Sequence, residues 1–213
     1  MKVKKTLPVL LILLGAIASS PAAQPLGQLA GAAAAADGEG SVFMLAGNDA
    51  FRTGASIRFN ISSVSDFGLQ LGLDRACGES FFGGGVDVKI VMLRGASRFP
   101  LDLALDASFG SLTSRAANRF LFDFGILASY RAASVAGRAL EPYGSFLVGI
   151  EEIDMKRGSE AVAACLCPDD DKTDAGVFAR AGIKIPVSDD GQLLIEASID
   201  DPILLGAAFN IVF

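Results

Sequence analysis

Histidine and tryptophan are absent from this 213-residue chain, tyrosine occurs only twice and cysteine three times. Without histidine, every histidine-based triad or dyad is excluded by composition. No phosphate-cradling Gly-rich loop and no zinc-ligand spacing is present either. Positive charge is also scarce: 18 Lys and Arg stand against 24 Asp and Glu, a formal charge of -6. That balance argues against a nucleic-acid partner, which needs clustered positive charge. Beyond the N-terminus no apolar run approaches the roughly 20 residues of a membrane helix.

What is present begins with an address. MKVKK is basic, TLPVLLILLGAIA is apolar but too short for a stable span, and Ala16-Ile17-Ala18 is a small-x-small cleavage site. Together they read as a secretory signal over residues 1–18, with cleavage after Ala22 as the second choice. Removing Lys2, Lys4 and Lys5 takes the formal charge from -6 to -9, three units lower. No Cys follows the apolar run, so nothing suggests a lipid anchor. Residues 19–39 are rich in Ala and Gly, with too few large side chains to bury, and read as a tether or loosely ordered lead-in.

From residue 40 to 213 the period is two. FPLDLALDASF, residues 99–109, sets Phe99, Leu101, Leu103, Leu105 and Phe109 against Asp102, Ala104, Asp106 and Ser108; a helix would scatter the leucines and strand the acids among them. Similar segments are FRTGASIRFNI from Phe51, SDFGLQLGLDR from Ser65, GVDVKIVML from Gly85, NRFLFDFGILASYR from Asn118, YGSFLVGIEEI from Tyr143, DAGVFARAGIKI from Asp174, GQLLIEASI from Gly191 and ILLGAAFNIVF from Ile203. GSVFMLAG from Gly40 is a weaker tenth. Most have the roughly 9 to 11 residues of a tilted membrane strand. SSV, GASR, VSDDG and DDP are short antiparallel connections.

Alternation alone does not say which face is wet. A soluble lipocalin-like carrier of apolar ligands, or a sandwich, has the same period with the apolar face inward. Here the polar face is crowded with Gly and Ser among a few long charged side chains, as a concave interior requires. The last strand ends on Phe213 with Phe209 and Ile211 on its apolar side, and the signal directs export. An apolar face turned outward to lipid follows.

A signal peptide, alternating strands filling the mature chain and a terminal Phe213 together resemble the small bacterial outer-membrane β-barrels, OmpA-like or porin-like, with no motif that identifies a subfamily. The resemblance covers residues 40–213 and implies an all-β transmembrane antiparallel up-and-down barrel in the outer membrane of a Gram-negative bacterium. It implies that Phe213 is the signal read by the barrel-assembly machinery, and that the partners are outer-membrane lipid and lipopolysaccharide. A monomer without cofactor is expected. Bacterial barrels of one chain close with even strand numbers, which favours ten over nine and leaves eight as the alternative. With Phe213 at the periplasmic end, DDP and residues 154–173, 110–117, 75–84 and 47–50 fall outside. VSDDG and residues 132–139, 95–98 and 62–64 fall on the periplasmic side. The family's aromatic girdles are normally rich in Trp and Tyr, and here only Tyr130, Tyr143 and 15 Phe are on hand.

The lumen face then holds Arg52, Arg58, Lys89, Arg180 and Lys184 against Asp66, Asp74, Asp87, Asp102, Asp106, Asp123, Glu151 and Glu196. In a barrel of this size such side chains largely fill the interior. An ion-paired plug is one reading; a narrow cation-preferring, porin-like channel is the other, since acids outnumber bases. Omptin-like proteases and lipid A-modifying barrels depend on a catalytic His that is missing here, and Asp102 and Asp106 lie too far apart on one strand face to share a proton. No enzyme and no metal site are expected. Cys77, Cys165 and Cys167 map to the same outer end, and a bridge from Cys77 to either of the others is favoured in an oxidising compartment. The run Asp169-Asp170-Asp171 reads as a solvated acidic loop. With the VSDDG turn centred on Ser188, Arg180 is predicted to face Glu196 directly.

Overall fold

The computed structural model describes residues 32, 38–48, 50–96, 100–130, 134–135, 138–156, 162, 165–166, 173–199 and 203–213. Ten strands form the wall: β1 (Gly38–Gly47), β2 (Phe51–Ser62), β3 (Ser65–Ala76), β4 (Glu79–Leu93), β5 (Leu101–Thr113), β6 (Ala117–Tyr130), β9 (Glu141–Met155), β10 (Thr173–Pro186), β11 (Gly191–Ile199) and β12 (Leu204–Val212). Two short strands, β7 (Ser134–Val135) and β8 (Arg138–Ala139), pair as a separate ladder between β6 and β9. The wall closes in the order β1-β12-β11-β10-β9-β6-β5-β4-β3-β2, and every neighbouring pair is antiparallel. The fold is a closed up-and-down barrel. Closure satisfies the backbone groups that an open sheet leaves unpaired at its edges.

The weak segment at residue 40 supplies the closing strand. β1 pairs with β12 along Glu39↔Val212 to Gly47↔Leu204 and with β2 along Gly38↔Phe59 to Ala46↔Phe51. It starts at Gly38, two residues before the expected boundary at 40. The signal region 1–18 lies outside the described residues. Of the lead-in 19–39, Ala32, Gly38 and Glu39 are described, and Ala32 is fully buried against the inward-facing Ala104 and Leu127.

Several connections are shorter than the sequence suggests. The expected loop 75–84 is a two-residue turn, Cys77-Gly78, both at positive φ (54° and 76°) as the twist of a tight hairpin demands. The glycines at 83–85 hide the start of β4, because residues without side chains show no alternation. The expected loop 110–117 shrinks to residues 114–116, where the Ser114 hydroxyl accepts the N–H groups of Ala116 and Ala117 at 3.0 and 3.1 Å.

One register differs from expectation. β10 and β11 pair Arg180 with Ser198 and Gly182 with Glu196, two residues from the predicted Arg180–Glu196 pair. The carbonyl of Gly191 accepts the N–H groups of both Val187 and Ser188 at 2.9 and 3.1 Å, which moves the centre of the hairpin from Ser188 to Asp189.

The two faces of the wall divide as the alternation predicts. On β5, Asp102, Ala104, Asp106, Ser108 and Leu112 are buried inside, while Phe109 is exposed outside. A bulge between Val91 and Leu93 lets β4 present Met92 and Leu93 outward together. Each of the ten wall strands contributes at least one exposed large apolar side chain, among them Met44, Ile57, Leu71, Val88, Phe109, Phe124, Ile150, Val177, Ile195 and Leu205. Tyr130 is on this outer face; Tyr143 turns into the lumen.

Candidate functional site: the charged lumen

Many of the side chains inside the wall are charged, and they are buried. Eight carboxylates, Asp66, Asp74, Asp87, Asp102, Asp106, Asp123, Glu151 and Glu196, are each at most 3% exposed. Arg52, Arg58, Lys89, Arg119 and Arg180 are buried with them, and Lys184 is half-buried. An isolated charge out of water is costly, so the way these groups meet decides whether the wall holds.

Near the end that holds Gly38 and Phe213, β2, β3 and β4 assemble one network. Arg58 pairs with Asp66 and, through Nη2, with Asp87 Oδ2 at 2.5 Å, while Lys89 Nζ reaches Asp66 Oδ2 at 3.2 Å. Gly68, which pairs with Arg58 on one side and Asp87 on the other, makes the approach feasible. A Cβ there would stand 2.3 Å from Asp87 Oδ1.

Toward the other end, which carries the long β9–β10 connection, a second network crosses the lumen. Arg119 on β6 donates from Nη1 to Asp74 Oδ2 on β3 at 2.9 Å and pairs with Glu151 on β9. Arg52 Nε meets the other Asp74 oxygen at 3.3 Å. β5 and β4 stand between β6 and β3 in the wall, so the Arg119–Asp74 contact is a chord across the interior. The guanidinium lies over the ring of Phe81, 5.1 Å from its centroid, a cation–π contact in a dry site.

Between the networks, the Tyr143 hydroxyl donates to Glu196 Oε2 at 3.0 Å, stepping over β10. Gly182 is the β10 partner of both residues, and a Cβ there would meet Tyr143 Cζ at 2.5 Å. Ser108 donates to Asp123 Oδ2 at 3.1 Å. Asp106 faces Lys89 across the strand pair, and neither of its oxygens has a hydrogen-bond partner among the described residues. Asp102 serves the nearby turn instead, accepting the N–H of Gly95 at 2.7 Å.

Arg119 and Tyr143 are the contributors that sequence reasoning missed. Arg119 stands on the inward register of β6 beside the supposed loop 110–117; counting back by twos from Asp123 through Leu121 in NRFLFDF places it inside. An apolar cluster was missed too. Phe43, Leu45, Phe81, Leu112, Leu121 and Leu204 are buried inside the wall, where a polar face was expected throughout.

Cys77 and Cys165 form a disulfide, with Cα atoms 5.9 Å apart. Cys167 and Asp169, Asp170 and Asp171 lie outside the described residues. Among the described residues, no group of three or more Cys, Asp or Glu side chains is placed to hold a metal ion. Phe213 is exposed on the outer face, its N–H donating to the Gly38 carbonyl at 3.0 Å.

No protein-family model and no curated protein matches the chain. Among solved structures, a loop L8 deletion mutant of OmpT, an outer membrane protein of Vibrio cholerae, is similar over 80% of this chain at 7% identity and a TM-score of 0.37. This chain spans 62% of that protein, less than two thirds of its length. The NanC porin is similar over 83% of this chain and 98% of its own, at 7% identity and a TM-score of 0.37. Likeness at this level carries no argument about function.

Proposed function

We propose that the chain is an integral outer-membrane β-barrel with a closed, ion-paired lumen, acting structurally or through its surface rather than as a conduit or catalyst. The observation that carries this reading is the pairing of two faces: large apolar side chains exposed on all ten wall strands, and eight carboxylates inside at no more than 3% exposure. The outer face needs a solvent other than water, because soluble monomers rarely expose contiguous apolar area on this scale. Hydrocarbon supplies that solvent, and a closed barrel leaves no backbone group unsatisfied in it. The loop end then faces outward toward lipopolysaccharide. The end holding Gly38 and Phe213 faces the periplasm, where Phe213 addresses the assembly machinery.

A lipocalin-like carrier is disfavoured because its ligand cavity requires the apolar face inside. A cation-preferring channel would keep its acids wet for the ions it passes. In this lumen they are dry and largely tied to arginine, lysine or hydroxyl groups. Fractionation with a heat-modifiability gel, followed by planar-bilayer recording, tests the reading. The protein is expected in the outer-membrane fraction, with a mobility that changes on boiling and no conductance steps. Reproducible cation-selective steps would establish the channel instead, and recovery from the aqueous periplasm would overturn the membrane assignment.

A further inference from the structure

The loop end of the lumen differs from its middle. Phe43, Leu45, Phe81, Leu112, Leu121 and Leu204 form an apolar cluster there, and Leu166 from the β9–β10 connection packs against it. The preceding residue, Cys165, is exposed and bonded to Cys77 in the β3–β4 turn. Around the ring, the β9–β10 pair is separated from the β3–β4 pair by β6 and β5 on one side, and by β11, β12, β1 and β2 on the other. The bond therefore ties a connection on one side of the mouth to a turn nearly opposite. That turn is a stiff post: two residues joining strands that stay paired to Ala76↔Glu79.

We infer that the Cys77–Cys165 bridge is a redox latch, which when oxidised keeps Leu166 seated on the apolar end of the lumen and when reduced lets Leu166 leave and exposes that surface to water. Leu166 is one side chain. Its burial alone competes with the entropy of fixing its own side chain and backbone in place, and the covalent bond at the preceding residue removes part of that entropy in advance. The exposed Cys165 offers an external dithiol its point of entry. One reductant thiolate attacks a bridge sulfur and breaks the S–S bond. The second reductant thiol then displaces the mixed disulfide, so Cys77 and Cys165 leave as thiols, two electrons and two protons are transferred, and the reductant ends as a cyclic disulfide.

The absence of tryptophan makes the test clean. In the full-length chain carrying Cys167→Ser, so that one bridge alone can form, Leu166→Trp introduces a single fluorophore at the latch. Folded into phosphatidylcholine vesicles and oxidised, it should emit at short wavelength and resist iodide quenching. Dithiothreitol, or the added change Cys77→Ser, should shift emission to the red and raise the quenching constant severalfold, with the heat-modifiable band unchanged. Phe43→Trp in the same background reads the cluster from the wall, and should likewise become accessible on reduction. If both reporters gave the same emission and quenching in the oxidised and reduced protein while the barrel stayed folded, the latch would be refuted. Loss of the heat-modifiable band on reduction would also overturn it, because the bridge would then hold the wall rather than Leu166.

Discussion

At the scale of single residues, the lumen holds because glycines on one strand leave room for charged or aromatic groups rooted on the next. Gly68 under Asp87, Gly149 under Asp123 and Gly182 under Tyr143 share this arrangement. Gly68→Ala should push Asp87 off Arg58 and lower barrel stability by about 1 to 3 kcal/mol, the usual cost of overfilling a packed interior. Gly40→Ala, where a Cβ would meet only the Phe213 ring at 3.6 Å, should stay within roughly 0.5 kcal/mol of the parent. Urea titration of the vesicle-folded barrel, read by the heat-modifiable band, separates the two. Arg119 carries a larger share, since it serves Asp74 and Glu151 together. Arg119→Ala should cost about 3 to 5 kcal/mol by removing the guanidinium that Asp74 and Glu151 share, and adding Glu151→Gln should return part of that loss. Strict additivity in the same titration would mean that the pair does not interact. The period-two pattern made the direction of these side chains legible. It left their partners out of reach, because a chord such as Arg119–Asp74 depends on how the ring closes.

At the scale of elements, alternation located all ten wall strands, and their errors have local causes. β5 was readable because leucine and aspartate contrast sharply, while the head of β4 was not because Gly83, Gly84 and Gly85 carry no pattern. The β10–β11 register slipped by two since the number of residues in VSDDG does not reveal that Gly191 closes the turn with its carbonyl. The apolar lumen residues were hidden for a different reason. Leu121 between Phe120 and Phe122 reads as an unbroken apolar run, and its inward direction shows only in its two-residue spacing from Asp123 and Arg119. The seam between β1 and β12 joins the first and last wall strands, and Phe213 adds its backbone bond to Gly38 there. Deleting Phe213 should therefore lower the fraction of protein assembled in the outer membrane, measured as the heat-modifiable band per total antigen. Equal assembly of the truncated chain would remove Phe213 from both the seam and the targeting argument.

At the scale of the whole molecule, the barrel is built inside out relative to a soluble globule: it buries carboxylates and exposes phenylalanine. The side that water touches is the physical content of the membrane assignment, and one substitution on the outer face probes it. Phe124 is near the middle of β6, exposed at 49%, with Phe122 and Ile126 beside it on the same face at 49% and 53%. Its neighbours across the strand pairs are Ala107 and Val148. No acid is their direct partner, so in a lipid-facing wall an arginine placed there would find only hydrocarbon. At the bilayer midplane an arginine on the lipid face costs about 2 to 4 kcal/mol, falling to about 0 to 1 near the interfaces. Phe124→Arg should therefore destabilise the vesicle-folded barrel by that midplane amount. The same change at Tyr130, exposed at the end of β6, should cost at most about 1 kcal/mol. A water-facing wall predicts the opposite pattern, with both changes within roughly 0.5 kcal/mol of neutral, since surface substitutions away from special features rarely cost more. The gradient along β6, obtained by urea titration of the two variants beside the parent, thus discriminates a lipid-facing wall from a wet one without reference to any ligand or partner.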